Sequence, residues 1–226
     1  MNFRTWCIVF ILFTKQLFPQ SSTDSLKLLL KQTRSDTAKL RILALLSEVC
    51  DEKDIPLYTT QGMELAKNIL KSSAEPSLQI ANVETDPTKT QLPPKVKKSV
   101  FNYYGRILDS HGLYEISQGN NQTGIKYFEK AFKLQSENND SMAMASTLSN
   151  IGLNFYYIGQ NLKAIDAMNK SLEFYKKLND KLGMAGAYTG LSIAYRNQGD
   201  MLKGIDYVYK SLSISEELKD EQSIAN

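Results

Sequence analysis

The chain has 226 residues, of which 42% are hydrophobic and 23% are charged, a composition typical of a folded protein rather than a disordered one. Its 27 basic and 24 acidic residues are interspersed and give a net charge of +3, which disfavours a nucleic-acid-binding face because such a face needs clustered basic residues. This length accommodates one or two globular domains or one extended repeat array.

The N-terminal end has the layout of a secretory signal peptide. A short basic start, MNFR, precedes an uninterrupted apolar run at residues 6–13, and polar residues follow Phe18. The run is too short for a bilayer core, which needs about 20 residues. We therefore predict a signal peptide over residues 1–20 and an exported chain on the periplasmic or extracytoplasmic side of the inner membrane. The alternatives are a buried or membrane-surface helix and a cytoplasmic chain.

The next segment, residues 24–73, predicts a divergent helical cap. Helical hydrophobic periodicity runs through residues 35–50 and 56–73, and terminal repeats of an array are usually atypical. Cys50 falls within this pattern and is predicted to be a small buried hydrophobe. Because Cys7 would leave with the signal peptide, an internal disulfide is excluded.

Prolines then interrupt the helical pattern. Four of the six prolines are Pro76, Pro87, Pro93 and Pro94. This density of helix-breaking residues predicts a loop or linker over residues 74–96.

The rest of the chain is repetitive. GQNLKAIDAMNKSLEFYKKLND (159–180) returns forty residues later as GDMLKGIDYVYKSLSISEELKD (199–220), with ten of 22 positions identical, and GNNQTGIKYFEKAFKLQSENND (119–140) is the preceding copy. Four positions are identical in all three copies: Gly119, Gly159 and Gly199; Ile125, Ile165 and Ile205; Lys130, Lys170 and Lys210; Asp140, Asp180 and Asp220. A period of this length is typical of stacked supersecondary units.

Each copy predicts two helices joined by tight turns. Apolar residues recur at i, i+3 and i+7 after each repeated glycine, as at Ile165, Met168 and Leu172. The glycine suits the left-handed position that closes the preceding helix, and the NND, LND and LKD endings favour turns and helix caps. Small residues are predicted where helices approach closely: Gly152, Ala164, Ser192 and Gly204.

These residues resemble the tetratricopeptide repeat (TPR) family. The positions that carry the resemblance are Leu108, Gly112, Gly119, Gly124, Phe128 and Ala131 in the first copy; Leu148, Ile151, Gly152, Phe155, Gly159, Ala164, Met168 and Ser171 in the second; and Tyr188, Leu191, Ser192, Tyr195, Gly199, Gly204, Val208 and Ser211 in the third. The first copy departs from the family pattern at His111 and Glu115. The resemblance implies an all-α fold, an α-solenoid of stacked helix-turn-helix units with a 40-residue period. The array covers residues 97–226, with three repeats and the start of a truncated fourth.

No catalytic pattern is present in the sequence. His111 is the one histidine, and consecutive Asp109, Ser110 and His111 point about 100° apart on a helix, so they cannot form a relay among themselves. Neither metal-ligand spacing nor a phosphate-binding glycine loop is found. We expect His111 to be a helix-surface or partly buried residue, and we expect no enzyme activity within these residues, no cofactor and no metal.

The resemblance instead implies a protein- or peptide-binding groove lined by the first helices. Its inward positions are Arg106, Asp109 and Ser117; Ser146, Ser149, Asn150, Tyr156 and Tyr157; and Thr189, Arg196 and Asn197. Solvation of the groove is the simpler alternative for any one of them. A clamp for a C-terminal carboxylate is rejected, because Asn150 matches it but Asp109, Ser149 and Thr189 stand where lysine is needed.

The layout as a whole resembles the extracytoplasmic front half of Bacteroidota-type signalling proteins, where an array precedes a membrane helix and an output domain, often a histidine kinase. This implies a sensor or scaffold module with a membrane tether beyond residue 226 and no nucleic acid partner in this segment. The alternatives are a freestanding secreted or periplasmic TPR adaptor, the front of a cyclase or LuxR-type regulator, and a cytoplasmic Rap-like peptide-binding regulator.

Overall fold

A computed structural model describes residues 20–72 and 92–224. The predicted signal peptide up to residue 19, most of the predicted linker and the last two residues of the predicted fourth repeat lie outside these residues. The described ranges contain nine α-helices and one 3₁₀ turn, and no strand. None of the helices in these ranges is long and apolar enough to cross a membrane. The prediction of an all-α fold is confirmed.

The chain divides into two compact units after Ser117. Unit 1 contains α1 (Gln20–Gln32), α2 (Asp36–Val49), the 3₁₀ turn (Glu52–Asp54), α3 (Ile55–Ser72) and α4 (Pro94–Ser117). Unit 2 contains α5 (Asn121–Glu137), α6 (Ser141–Tyr157), α7 (Asn161–Lys177), α8 (Lys181–Asn197) and α9 (Met201–Ile224). The boundary falls between the two helices of the first repeat, so α4 belongs to the same unit as the predicted cap.

Unit 1 is held together by apolar packing of α2 against its neighbours. One cluster joins α2 to α3 through Leu43, Leu46 and Tyr58, and a second joins α2, α3 and α4 through Leu40, Ala66, Val100 and Ile107. Cys50 is buried in the first cluster, as predicted, and its thiol is free. Burial raises the pKa of its thiol to about 12, which keeps it protonated and unreactive.

The turns of the repeats follow the sequence pattern. Gly119, Gly159 and Gly199 have φ values of 87°, 76° and 92°, the left-handed conformation predicted for them. Asn139 and Asn179 adopt the same conformation, with φ values of 53° and 52°, at the other two turns. Each of these tight turns closes one helix and reverses the chain into the next.

Aspartates begin the first helices of the second and third repeats. The Asp140 carboxylate accepts a hydrogen bond of 3.1 Å from the Ala143 backbone N–H, and Asp180 does the same for Gly183 at 3.1 Å. Such caps satisfy N–H groups that have no partner within the helix. The repeated Asp is therefore a helix start signal, as its position in the sequence predicts.

The core of unit 2 is packed closely around the side chain of Met168. This side chain of α7 lies between α6 and α8, where Cβ atoms added at Gly152 and Gly190 would stand 2.8 Å from its Cγ and 2.6 Å from its Sδ. Glycine at both positions lets a long side chain fill the space between three helices.

The third copy differs from the prediction at its C-terminal end. The LKD sequence predicts a turn near residue 219, yet α9 continues without a break to Ile224. Lys219 stands where the first two copies have Asn139 and Asn179. Lysine is less tolerant of the left-handed conformation that this turn requires, so the helix extends.

Candidate partner-binding face

The residues predicted to line a groove in unit 2 lie mainly on two helices that contact each other, α6 and α8. Ser146, Asn150 and Tyr157 are spaced by four and seven residues, which places them on one stripe of α6. Asn197 of α8 occupies the position of the repeat that Tyr157 occupies in α6. We call the surface that these stripes form the α6–α8 face; its exposed or half-buried members are Ser146, Asn150, Leu153 and Tyr157 of α6 and Gly186, Ile193 and Asn197 of α8.

This face carries no charged side chain. The 17 residues of α6 include no Asp, Glu, Lys, Arg or His, and those of α8 include only Lys181 and Arg196. Lys181 forms an ion pair of 3.1 Å with Glu217 of α9. The Arg196 stem lies over Gly204 of α9, where an added Cβ would be 2.5 Å from Arg196 Cγ. Arg196 therefore borders the face on its α9 side rather than lining it.

The face is also partly apolar. Ile193 is half-buried, and Leu153, forty residues earlier at the same position of the repeat, is half-buried with part of its side chain packed against the core of unit 2. A Cβ added at Gly186 would meet nothing within 4 Å, so the backbone of α8 is open to an approaching molecule at that point. The arrangement suits a partner that offers apolar side chains and backbone hydrogen-bonding groups.

Hydroxyl groups beside the face join each first helix to its second helix. Ser149 and Ser171 share a hydrogen bond of 2.7 Å, and Ser171 donates a second one to the Ala145 carbonyl, also at 2.7 Å. Thr189 and Ser211 repeat this arrangement in the next copy, at 3.0 Å. Ser149 and Thr189 thus link the first helix of their repeat to the second helix.

Three other predicted residues are placed differently. Tyr156 packs against the core of unit 2, and its ring meets that of Tyr157 edge-on, with centroids 5.1 Å apart. Arg106 and Asp109 lie on α4, in unit 1. Asp109 is half-buried, and the Arg106 guanidinium forms a bidentate ion pair with Glu48 of α2. This hydrogen-bonded pairing raises the pKa of Arg106.

His111 is the residue whose burial the sequence predicts least well. The sequence indicates a helix-surface or partly buried histidine, but the side chain is buried, at 7% exposure. Its Nδ1 lies 2.7 Å from the Thr59 hydroxyl and its Nε2 lies 3.4 Å from a Glu115 oxygen. The available signal was that His111 and Glu115 occupy positions where the family pattern has apolar and aromatic residues, and such positions face the core.

Burial lowers the pKa of His111, and the nearby Glu115 carboxylate opposes this shift. The neutral imidazole is therefore the form that unit 1 accommodates best. Within the described part of the chain, no group of three or more His, Cys, Asp or Glu side chains is arranged to hold a metal ion. The hydrogen bond between Thr59 and His111 links α3 to α4 within unit 1.

Unit 2 also has an open cavity of about 400 Å³ beside two turns. It is lined by Gly119, Asn120, Asn121, Gln122, Thr123, Ile158 and Gln160. None of these side chains is ionisable, and the cavity is shallow and open to solvent. It supports no chemistry beyond hydrogen bonding.

Paired helices joined by tight turns and repeated at a fixed interval define an α-solenoid of helix-turn-helix units. Residues 103–177, which include α5, α6 and α7, match the family model for the tetratricopeptide repeat. This match supports the tetratricopeptide repeat interpretation of the segment. Comparison with curated protein sequences gives no match.

Solved structures of similar fold span most of the chain. Aspartyl phosphate phosphatase F from Bacillus subtilis is 16% identical with a TM-score of 0.64, over 93% of this chain and 46% of that protein. A signal transduction ATPase (STAND protein) with a tetratricopeptide repeat sensor from Pyrococcus horikoshii is 14% identical with a TM-score of 0.65, over 94% and 30%. The apo form of RapI is 14% identical with a TM-score of 0.64, over 98% and 73%.

The chain thus spans less than half the length of the first two of these proteins. At identities this low, the likeness shows the fold alone.

Proposed function

We propose that the chain is a non-catalytic interaction module that binds an uncharged, largely apolar segment of a partner protein on the α6–α8 face. The observation that carries this proposal is that α6, a helix with exposed positions at both Met142 and Ser146, has no charged residue along its whole length. Solvent-facing helix surfaces normally carry charges, so an uncharged one favours contact with another molecule.

The chemistry of the face sets the kind of partner. Leu153 and Ile193 offer apolar area, and the amides of Asn150 and Asn197 can donate to and accept from a peptide backbone. A charged group on the partner would lose its hydration here without gaining an opposite charge. Because ionic attraction has no part in this contact, we expect affinity to change little with salt concentration.

We further propose that the module belongs to a signal-transduction protein, as a sensor or scaffold. One of the proteins of similar fold is a signal transduction ATPase whose name describes a tetratricopeptide repeat sensor. The predicted signal peptide favours an exported module. A freestanding periplasmic adaptor, a cytoplasmic Rap-like regulator and the front of a cyclase or LuxR-type regulator remain the alternatives.

Two observations separate these alternatives. N-terminal sequencing of the protein isolated from its host tests export, because cleavage near Gln20 supports the signal peptide and an intact start contradicts it. The reading frame downstream of codon 226 tests the context. A membrane helix followed by a kinase supports the sensor proposal, and a stop codon after one more helix supports the adaptor.

Binding itself is tested by selecting peptides from a random 12-residue phage library on the immobilised full chain. The selected peptides are then synthesised, and their affinities are measured for wild type and for two matched variants. Ser146→Trp places a large ring on the α6–α8 face, and Ser136→Trp places the same ring on the exposed side of α5. We expect selected peptides to be rich in apolar residues and to bind Ser146→Trp at least about tenfold more weakly.

Ser136→Trp should bind the peptides as wild type does, and both variants should keep the helical circular dichroism of wild type. Failure to select any peptide would contradict the proposed function, and so would equal affinity for wild type and Ser146→Trp. Peptides dominated by acidic or basic residues would contradict the proposed partner chemistry alone.

A further inference from the structure

One end of unit 1 collects positive charge from two helices that are separated along the chain. Lys67 and Lys71 lie in the last two turns of α3, and Lys95, Lys97 and Lys98 lie in the first two turns of α4. All five side chains are exposed. We call these five lysines the basic end.

The packing of α3 against α4 brings the two groups of lysines together. Two contacts fix the register of these helices, and they join Thr59 to His111 and Gly62 to Ile107. Residue numbers rise along α3 as they fall along α4, so the two helices are antiparallel. Continued to the end of α3, the same register places Lys71 at the level of Lys98.

Few carboxylates offset this charge in the described helices of unit 1 that meet at this end. Glu64 is the one acidic residue of α3, and α4 has none before Asp109. Helix α2 shares an apolar cluster with both helices, and in its first turn Asp36 is paired with Lys39 at 3.5 Å. The basic end therefore has a local excess of positive charge, although the net charge of the whole chain is only +3.

The position of the α4 lysines is unfavourable for the helix alone. The N-terminal end of a helix carries a partial positive charge and favours Asp or Glu. Helix α4 instead has no acidic residue in its first turn, and Lys95, Lys97 and Lys98 are among its first five residues. The lysines and the helix terminus act in the same direction, so both attract a negatively charged partner.

The chemistry of the basic end favours a partner with diffuse negative charge. Its ammonium groups are point charges on flexible stems, and none of the five residues is an arginine that could form a bidentate fork with one phosphate. Recognition of nucleic acid also uses stacking on exposed aromatic rings, but Phe101, beside Lys97 in α4, is buried. Clusters of about four to eight basic residues are typical of contact with anionic lipid headgroups.

We propose that the basic end of unit 1 binds the surface of a bilayer that contains anionic phospholipids. The contact is electrostatic, and the five ammonium groups lie among the lipid headgroups. It is separate from the proposed function, because it uses α3 and α4 of unit 1 and not the α6–α8 face of unit 2. Either proposal can therefore fail without the other.

Flotation of the full chain with lipid vesicles tests this proposal. One set of vesicles is phosphatidylcholine alone, and the other replaces about one-third of it with phosphatidylglycerol. We expect binding to the anionic vesicles to be at least about tenfold tighter at about 0.05 M salt, and this preference to disappear at about 0.5 M salt, because salt screens exposed charges. Combining Lys71→Gln, Lys95→Gln and Lys98→Gln should remove most of the preference.

The matched control removes three exposed lysines from α5, by Lys126→Gln, Lys130→Gln and Lys133→Gln, and so changes the net charge equally. It should bind the vesicles as wild type does, and both variants should keep the helical circular dichroism of wild type. Equal binding of wild type to the two kinds of vesicle would overturn the proposal, since attachment through the apolar run at residues 6–13 needs no anionic lipid. An equal loss in the control would overturn it in favour of net charge alone.

Two further measurements separate other occupants of the basic end. A labelled DNA duplex that wild type prefers to anionic vesicles, and that the basic-end variant no longer binds, would overturn the proposal in favour of a nucleic acid. The sequence between α3 and α4 contains Glu75, Glu84 and Asp86. If only the variant with Glu75→Gln, Glu84→Gln and Asp86→Asn bound anionic vesicles, the lysines would be occupied by carboxylates of the chain itself, and the proposal would be wrong.

Discussion

The guanidinium of Arg106 donates two hydrogen bonds to the carboxylate of Glu48, 2.7 Å from Nε to Oε1 and 2.6 Å from Nη2 to Oε2. This fork joins α4 to α2 within unit 1. Both side chains are about one-third exposed, at 33% and 36%. Water therefore weakens the attraction between the two charges, but the bidentate hydrogen bonds still fix how the two groups are oriented. The role that the structure gives Arg106 is to hold two helices of unit 1 together.

We expect Arg106→Lys to destabilise the chain by about 1 kcal/mol, because a lysine ammonium cannot reproduce the two parallel hydrogen bonds. A double-mutant cycle with Glu48→Gln, measured by urea unfolding, should give a coupling energy of about 0.5–1 kcal/mol. If Arg106 belonged instead to a binding groove, Arg106→Lys would leave the free energy of unfolding unchanged and would weaken the binding of the selected peptides.

Two glycines of unit 2 provide a matched test of close packing. A Cβ at Gly152 would lie 2.8 Å from Met168 Cγ and 3.2 Å from the Ala164 carbonyl oxygen, whereas a Cβ at Gly186 would meet nothing within 4 Å. Both residues lie inside helices, where alanine is favoured over glycine by about 1 kcal/mol. The two substitutions therefore share the same gain in helix propensity and differ in the space available.

We expect Gly186→Ala to raise the free energy of unfolding by about 0.5–1 kcal/mol. Gly152→Ala should lower it by about 1 kcal/mol, because the strain of overpacking exceeds the gain in propensity. Urea unfolding monitored by circular dichroism measures both. Equal stabilisation by the two substitutions would show that α6 and α7 are not packed as closely as the Met168 contact indicates.

The features that the sequence predicts well are those that depend on neighbouring residues. Left-handed Gly159 and the Asp180 cap each involve three or four consecutive residues, and both recur at the repeat interval. A local signal repeated at a fixed spacing identifies the fold even where each copy is imperfect. The inward positions Ser146 and Asn150 of α6 follow instead from the family pattern, and their part in binding stays a prediction.

The residue pairs that the sequence does not reveal are far apart along the chain, and at least one residue of each pair lies outside the repeats. Glu48 is 58 residues from Arg106, and Thr59 is 52 residues from His111. Neither pair recurs in another copy, so no periodicity indicates it. The inward position of Arg106 follows from the family pattern, but its pairing depends on the divergent α2 that packs beside α4.

His111 predicts a pH dependence of the stability of unit 1. Burial lowers its pKa below the ordinary value of 6.5, with Glu115 opposing the shift, so the unfolded chain takes up the proton more readily than the folded one. The contribution of neutral His111 to the free energy of unfolding is therefore fully present above pH 6.5. It is lost as the pH falls through the lower pKa of the folded state. Thr59 accepts from or donates to Nδ1 in the neutral form, depending on the tautomer.

Because His111 is the one histidine in the sequence, its imidazole resonance in an NMR titration is unambiguous. We expect a midpoint below 6.5 in wild type, and a lower midpoint in Glu115→Gln, where the favourable carboxylate is removed. Urea unfolding should show that wild type loses stability between pH 7.5 and pH 5.5 more steeply than His111→Gln. A midpoint above 6.5 would mean that the Glu115 pairing dominates over burial.

The turn between α6 and α7 gives the last prediction. Gly159 has φ of 76°, and its Cβ position is open, so the cost of a substitution arises from the backbone conformation and not from crowding. We expect Gly159→Ala to destabilise the chain by about 1 kcal/mol. Gly159→Asn should cost less, because asparagine already occupies the left-handed conformation at Asn139 and Asn179. Thermal unfolding of the two variants at one pH compares them directly. An alanine variant as stable as the asparagine variant would contradict a left-handed residue at this turn.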